Sequence, residues 1–153
     1  MTLTGLITGL AEDLREATAN FIFPAQYQEP KKVSVYAQTI PTADFENQSF
    51  YPLICVELLG VEDAAESAAA AVLLTLGTYS GEGDAWQDHL NLLEQVRRYL
   101  LQHRIIRRGY VLKYPLEIGL VEPRSDNFTF SNIFATYEIQ QPVTGLPAEW
   151  EKI

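Results

Sequence analysis

Two segments of the chain repeat their apolar residues with the period of an α-helix. Within residues 3–21 the apolar side chains fall on one side of a 3.6-residue repeat and the charged side chains fall elsewhere, which predicts an amphipathic helix that ends before Pro24. The second segment opens at Asp84, which matches a capping box with Gln87, and is predicted to remain helical to about Arg104. The apolar side of this second helix consists of Trp86, Leu90, Leu93, Val96 and Leu100.

The segments between these helices have the patterns of β-strands. Residues 33–39 alternate and predict a strand that is polar on one side. Residues 41–52 carry turn formers without a period and predict an exposed loop. The apolar runs 53–59 and 69–79 predict two paired strands that are buried on much of both faces, although the alanines at 68–71 leave a helix as an alternative.

The C-terminal third alternates strongly between apolar and polar residues. Residues 110–120 and 128–139 predict two long antiparallel strands, joined by a loop at 122–127. Pro115 lacks the backbone donor that a central strand needs, so we expect an edge position or a bulge there.

The order of these elements predicts the fold class. Helix, three strands, helix and two strands (αβββαββ) make an α+β domain, with two helices packed on a mainly antiparallel sheet of about five strands. We expect a single domain over residues 1–142 and a C-terminal tail over 143–153, which docks through Trp150.

Composition and charge exclude several classes of protein. The chain has 153 residues, of which 47% are hydrophobic, and a net charge of -9, so it is typical of a globular domain rather than a disordered or membrane-spanning chain. Residues 1–93 carry 13 acids against 3 bases, whereas residues 94–153 carry 7 acids against 8 bases. This acidic balance disfavours general binding of nucleic acid. The first 20 residues lack the basic start of a signal peptide, so we expect synthesis in the cytoplasm.

Side chains with reactive chemistry are few and scattered. Cys55 lies within an apolar run, where a buried and inert thiol is expected. His89 and His103 are 14 residues apart on the second helix, about 21 Å along its axis, which is too far for a shared metal. We expect each histidine at the surface or at a helix end. The glycines before this helix lack the spacing of a phosphate loop, so the sequence predicts no enzyme, no cofactor and no metal site.

Two charged clusters are the remaining candidates for a functional surface. Glu62, Asp63 and Glu66 form an acidic link between two predicted strands. A basic run over residues 97–108 includes Arg104, Arg107 and Arg108. That run is explained by the helix dipole, by contact with another protein, or by nucleic-acid binding, and the last is disfavoured because few aromatic residues accompany the arginines. We take these six residues as a candidate subunit interface.

Several short blocks of the sequence resemble small tail proteins of bacteriophages and prophages. The blocks are Tyr51-Pro52-Leu53-Ile54, Leu76-Gly77-Thr78-Tyr79-Ser80, Asp84-Ala85-Trp86-Gln87-Asp88, Leu92-Leu93-Glu94-Gln95-Val96-Arg97, Leu112-Lys113-Tyr114-Pro115-Leu116 and Ala135-Thr136-Tyr137-Glu138-Ile139. They span roughly residues 50–142, and the family they resemble is the tail terminator, tail-completion or head-tail joining group of long-tailed phages.

The resemblance implies a structural protein of the virion tail that is assembled in the cytoplasm of the host bacterium. It implies a small α/β domain that forms a ring, expected to be a hexamer, on the end of the tail tube. The implied partners are other copies of the chain, the tail tube protein and the head connector proteins, with no membrane and no nucleic acid. The alternatives are another small neck or minor tail protein of the phage, or a cytoplasmic regulatory or nucleic-acid-binding module that uses the arginines of residues 97–108.

Overall fold

The computed structural model describes residues 2–20, 32–79, 85–125 and 127–141. Two long helices and one short helix accompany six strands within these ranges. The elements in chain order are α1 Leu3–Ala17, β1 Ser34–Ala37, α2 Thr42–Glu46, a 3-10 turn Gln48–Phe50, β2 Leu53–Asp63, β3 Ala68–Tyr79, α3 Ala85–Gln102, β4 Ile105–Ile106, β5 Tyr110–Ser125 and β6 Phe128–Ile139.

The six strands form one sheet in the order β1-β2-β3-β6-β5-β4. β1 pairs with β2 in parallel, and every other neighbouring pair is antiparallel. This arrangement confirms the predicted α+β class and the pairing of the two apolar runs, and it shows that the alanines at 68–71 belong to a strand. β4 was not predicted because two residues are too few to establish a period.

Helices α1 and α3 pack on one face of the sheet, which we call the helix side. Leucines at the spacing of an amphipathic helix supply the core from α1, and every second residue of the central strands supplies it from the sheet. The phenol of Tyr110 in β5 fixes the start of α1, because it donates to the carbonyl of Thr2 at 2.6 Å. The buried residues include Leu6, Leu10, Leu14, Ile54, Leu74, Leu92, Val96, Leu100, Ile133 and Tyr137.

The opposite face of the sheet is partly covered by the segment before β2. Tyr51 is buried there, its ring meets Phe130 at a centroid distance of 6.1 Å, and its hydroxyl donates to the carbonyl of Phe45 at 2.8 Å. The predicted exposed loop at 41–52 is therefore wrong in part, since α2 and the 3-10 turn occupy most of it. Burial of an aromatic side chain by distant strands organises this segment, and local turn propensity does not reveal such a contact.

The bounds of three elements differ from those predicted. β2 continues through Glu62 and Asp63, because ladder pairing with β3 holds these polar residues in the strand. β5 continues to Ser125, so most of the predicted loop at 122–127 is strand. α3 ends at Gln102 rather than at about Arg104.

The predicted irregularity at Pro115 is confirmed. The register between β5 and β6 shifts between Lys113 and Glu117, so three residues of β5 bulge opposite one residue of β6. Other predictions lie outside the described residues: the positions of Phe21 and Pro24, the capping box at Asp84, and the tail over 143–153 with its docking through Trp150.

Candidate assembly interface

The acidic cluster lies at the hairpin between β2 and β3. Glu62 and Asp63 are the last residues of β2, Glu66 is in the turn that follows, and all three are exposed. The turn is closed by a backbone hydrogen bond from Ala64 to Ser67 at 2.7 Å. We call these three acidic residues the acidic hairpin, which places three negative charges at one end of the sheet.

The three arginines of the basic cluster lie around β4, and we call them the basic turn. The Arg104 guanidinium donates to the carbonyl of Leu112 at 2.9 and 3.2 Å and lies over the Tyr114 ring, 4.4 Å from its centroid. Arg107 and Arg108 occupy the tight turn between β4 and β5, with positive φ angles of 50° and 59°. The sequence run of basic residues therefore becomes one compact feature of the fold.

The basic residues are not equally available to a partner. Arg107 pairs with two acids of α1, Glu12 at 2.9 Å and Asp13 at 3.1 Å, so part of its charge is already balanced within the chain. Within the described residues, neither Arg104 nor Arg108 forms an ion pair. Those two arginines therefore carry the uncompensated positive charge of the basic turn.

The acidic hairpin and the basic turn lie on opposite edges of the sheet, at the same end. Asp63 is opposite Ala68 of β3, and Ala68 is opposite Ile139 of β6. On the other side of β6, Val111 of β5 pairs with Glu138 of β6 and with Ile105 of β4. β4 and the turn after it therefore lie at the end of the sheet where Asp63 lies. Four strand spacings separate β2 from β4, which is about 19 Å. The two clusters therefore lie at different edges of the sheet, so two copies placed side by side bring the acidic hairpin of one copy to the basic turn of the next.

Apolar side chains are exposed along the same two edges. Leu59 and Val61 of β2 are 52% and 40% exposed, and Ile105 of β4 is 66% exposed. Further along β5, Leu120 is 62% exposed. The exposure of these residues leaves no signal in the sequence, because the alternation of a strand continues unchanged where the covering helices end.

The apolar side predicted for α3 is only partly buried. Leu93, Val96 and Leu100 are buried as predicted, but Trp86 and Leu90 are exposed. At its start the buried stripe of the helix differs from the predicted one, because His89 faces the sheet there in place of Trp86 and Leu90.

The prediction of a surface or helix-end position is confirmed for His103 and wrong for His89. His103 is exposed and stacks on the Tyr99 ring. His89 is fully buried, with its ring nitrogens 3.1 Å from the Thr78 hydroxyl and 2.7 Å from the Ser131 hydroxyl. Two hydroxyls from neighbouring strands satisfy the ring, and burial lowers its pKa to about 4.

The thiol of Cys55 has the inert setting that its sequence context predicts. The side chain is buried, and burial followed by the charge of Glu57 raises the pKa of the thiol to about 11. Within the described residues, no three His, Cys, Asp or Glu side chains gather as metal ligands would.

The surface of the described chain also carries shallow grooves. One groove of about 340 Å³ runs between α1 and the start of the sheet, lined by Leu3, Ile7 and Leu58 among others. Another of about 260 Å³ lies beside Val61 and Asp63. None of the helices in the described ranges is long and apolar enough to cross a membrane.

Comparison with solved structures gives distant likenesses. No protein-family model matches the chain, and no curated protein matches it. A solved protein without a functional name aligns with a TM-score of 0.48 and 14% identity, over 94% of this chain and 100% of its own. A chain from the virion of a native gene transfer agent particle aligns with a TM-score of 0.44 and 10% identity, over 92% of this chain and 100% of its own. At these TM-scores neither likeness assigns a fold family or a function.

Proposed function

We propose that the protein is a structural component of a phage tail, of the tail terminator or tail-completion type. In this role it forms a ring on the end of the tail tube and presents a surface to the head connector. The observation that carries the self-assembly is the placement of opposite charges on opposite edges of one sheet. The specific tail role rests on the sequence blocks that resemble the family.

The resembling blocks fall at structurally defined places in the fold. Residues 51–54 lead into β2, and Tyr51 packs against Phe130 on the face of the sheet opposite the helix side. Residues 112–116 contain the bulge of β5, and residues 135–139 close β6. Their conformations are thus set by packing and pairing, as expected for blocks that define a fold rather than a reaction.

A closed ring requires a heterologous contact, in which one surface of each copy meets a different surface of the next. The acidic hairpin and the basic turn are such a pair, since they differ in sign and lie on opposite edges. Copies placed side by side bring the acidic hairpin of one towards the basic turn of the next. The net charge of -9 on each copy opposes this approach at low salt. We therefore expect weak association of the isolated protein and a stable ring on the tube end.

A structural role without catalysis is part of the same proposal. Cys55, His89 and His103 lie in three separate places, of which the first two are buried. Convergence of such groups in one pocket is the usual geometry of catalysis.

The test is a charge reversal at Arg108, because this side chain is exposed and makes no ion pair in the described part of the chain. Arg108→Glu should abolish ring formation on purified tail tubes. The unfolding midpoint should not change, because the positive φ at this position strains an arginine and a glutamate to a similar extent. Arg98→Glu is the matched control, because Arg98 is also exposed but lies on α3, where it pairs with Glu94 at 3.7 Å. Assembly is measured by electron microscopy of tube ends and by sedimentation velocity.

A double variant makes the test specific to the proposed contact. Glu62→Lys combined with Arg108→Glu should restore part of the lost assembly, because the signs are exchanged. Equal loss of assembly in Arg98→Glu and Arg108→Glu would refute the contact. Retardation of DNA by the wild-type protein, with a steep salt dependence that Arg108→Glu reduces, would favour the nucleic-acid-binding alternative. Binding elsewhere on the tail than the tube end would favour another neck or minor tail protein.

A further inference from the structure

The outer edge of β5 has no strand partner beyond β4 among the described residues. β4 pairs only with Tyr110 and Val111, and the last bond on this edge joins Leu112 to Arg104. Leu112 faces the helix side, and both its amide and its carbonyl point outward to Arg104. Peptide groups alternate along a strand, so residues on the same face point the same way.

Past the bulge, Ile118 and Leu120 return to the helix side, opposite Ile133 and Ser131 of β6. The amide and carbonyl groups of Ile118 and Leu120 therefore point outward from the sheet. Their side chains are exposed, Leu120 most of all at 62%. Within the described ranges, this stretch of β5 is therefore a free edge, with apolar side chains and backbone groups that no other strand pairs.

Beyond β1, the outer edge of β2 likewise has no strand partner in the part of the chain that the structure describes. Pairing with β1 ends at Val56, and the side chain of Gln38 then caps the edge by accepting a hydrogen bond from the Leu58 amide at 2.9 Å. Leu58, Val61 and Asp63 lie opposite Val72, Ala70 and Ala68 of β3 respectively, so all three share the helix side. The backbone groups of Val61 and Asp63 consequently point outward, as those of Leu58 do.

We propose that these two free edges pair with one another in neighbouring copies. β5 of one copy adds to β2 of the next as an antiparallel strand, with Val61 opposite Leu120 and Asp63 opposite Ile118. This inference deepens the proposed ring and rests on it. The sheet then runs on from copy to copy.

Strand direction permits this pairing without inverting a copy. β2, β3, β6 and β5 are successively antiparallel, so β2 and β5 of one sheet run in opposite directions. A second copy placed beside the first, with its helices on the same face, presents β2 antiparallel to β5. Val61 and Leu120 then lie side by side on the helix side, and burial of their exposed apolar surfaces favours the contact.

Charge selects the register. With Val61 opposite Leu120, Glu62 lies opposite Gly119, where the space above the backbone is open. A slide of two residues in one direction places Glu62 opposite Glu117, and a slide in the other direction places the carboxylate of Asp63 opposite the apolar side chain of Leu120. Like charges directly opposite on a ladder destabilise it.

The same register carries the acidic hairpin towards the basic turn. After Asp63 passes Ile118, the turn with Glu66 continues beside the bulge of β5. Arg104 lies over Tyr114 in that bulge, at 4.4 Å from the ring centroid. Edge pairing therefore brings the opposite charges of two copies together. This charge complementarity identifies a second copy of the chain as the partner of each free edge.

Disulfide trapping between two variants that each add one exposed cysteine tests the register, since the native Cys55 is buried. Directly opposed Cα atoms in a hydrogen-bonded antiparallel pair are about 5.5 Å apart, which is within disulfide range. Val61→Cys and Leu120→Cys are purified separately, mixed under mild oxidation and analysed on non-reducing gels. Val61→Cys mixed with Ile105→Cys is the matched control, since Ile105 is equally exposed but lies on β4.

A reducible dimer should form at least tenfold faster in the mixture of Val61→Cys and Leu120→Cys than in the control mixture or in either variant alone. Faster crosslinking to Ile105→Cys would mean that β2 meets β4, which overturns the edge pairing and leaves the charge contact standing. A dimer from Val61→Cys alone would also overturn it, because β2 would then meet its own copy. Assembly on tail tubes without crosslinking overturns the edge pairing only, whereas absence of both overturns the ring as well.

Discussion

Replacing His89 with glutamine should remove a large part of the pH dependence of folding in mild acid. In the folded protein the ring is fully buried and held between the hydroxyls of Thr78 and Ser131. Burial disfavours the charged imidazolium and lowers the pKa of His89 from 6.5 to about 4. In the unfolded chain the ring is hydrated and keeps its ordinary pKa.

The sign and the size of the effect follow from this difference. Above pH 6.5 the ring is neutral in both states, and its contribution to stability is complete. Between pH 6.5 and about 4 only the unfolded chain takes up the proton, so the free energy of unfolding falls as the pH falls. At roughly 1.4 kcal/mol for each pH unit, the loss across this window is about 3 kcal/mol.

The assay is urea unfolding of wild type and His89→Gln at intervals from pH 8 to 4. Glutamine retains hydrogen-bonding groups, so we expect the variant to be less stable than wild type by about 1–2 kcal/mol at pH 8. Because wild type then loses about 3 kcal/mol on acidification, the two curves should converge and cross, with the variant more stable by about 1–2 kcal/mol at pH 4. His103→Gln is the matched control, because it removes an exposed histidine next to the end of α3 and leaves the buried ring in place. Parallel curves for wild type and His89→Gln would show that the buried ring does not remain neutral, which refutes the reasoning.

Two further predictions concern packing and reactivity. Gly77→Ala places a methyl group 2.7 Å from the Phe130 ring and 3.0 Å from that of Tyr51, so it should lower the free energy of unfolding by about 1–3 kcal/mol; Gly119→Ala meets open space and should change it by about 0.5 kcal/mol or less. Equal unfolding midpoints would contradict this. Because burial raises the pKa of Cys55 to about 11, its reaction with a thiol reagent at pH 8 should be about a hundredfold slower or more in the folded protein than in urea, and equal rates would show an accessible thiolate.

Periodicity predicted most of the fold because most elements have one buried face. The helical repeat of α1 and the alternation of β5 and β6 persist over ten or more residues, so local exceptions do not obscure them. The segment before β2 has no such repeat. Its structure depends on Tyr51 packing against Phe128 and Phe130, which are nearly 80 residues away in the chain.

The same reasoning explains the error at His89. A lone histidine on a helix is ordinarily exposed, and only the sheet beneath it supplies the two hydroxyls that satisfy its ring. Thr78 and Ser131 are polar residues in apolar strands, which gives a weak signal of a buried polar partner. Without the register of β3 and β6 nothing connects these residues to His89.

The charge pattern of the sequence predicted the candidate interface, but it did not predict which of the residues are available to a partner. Sequence alone treats Arg104, Arg107 and Arg108 as equivalent, whereas the fold pairs Arg107 with two acids of α1. The exposed apolar residues Val61 and Leu120 carry no signal in their own strands, since they look like any core position. Exposure depends on where the helices end, which is a property of the tertiary structure.

The free edges explain why charge and apolar surface occur together at the proposed interface. A long free edge with exposed apolar side chains pairs readily with any other strand, and proteins limit this with charges, bulges and prolines. This chain has such features on both edges, with Pro115 in the bulge of β5 and acids at the end of β2. Because Glu62 and Asp63 repel a second acidic edge but are attracted to one that ends at Arg104, the same charges oppose indiscriminate association and permit the heterologous pairing. A surface of this kind favours growth in one direction, as a ring requires.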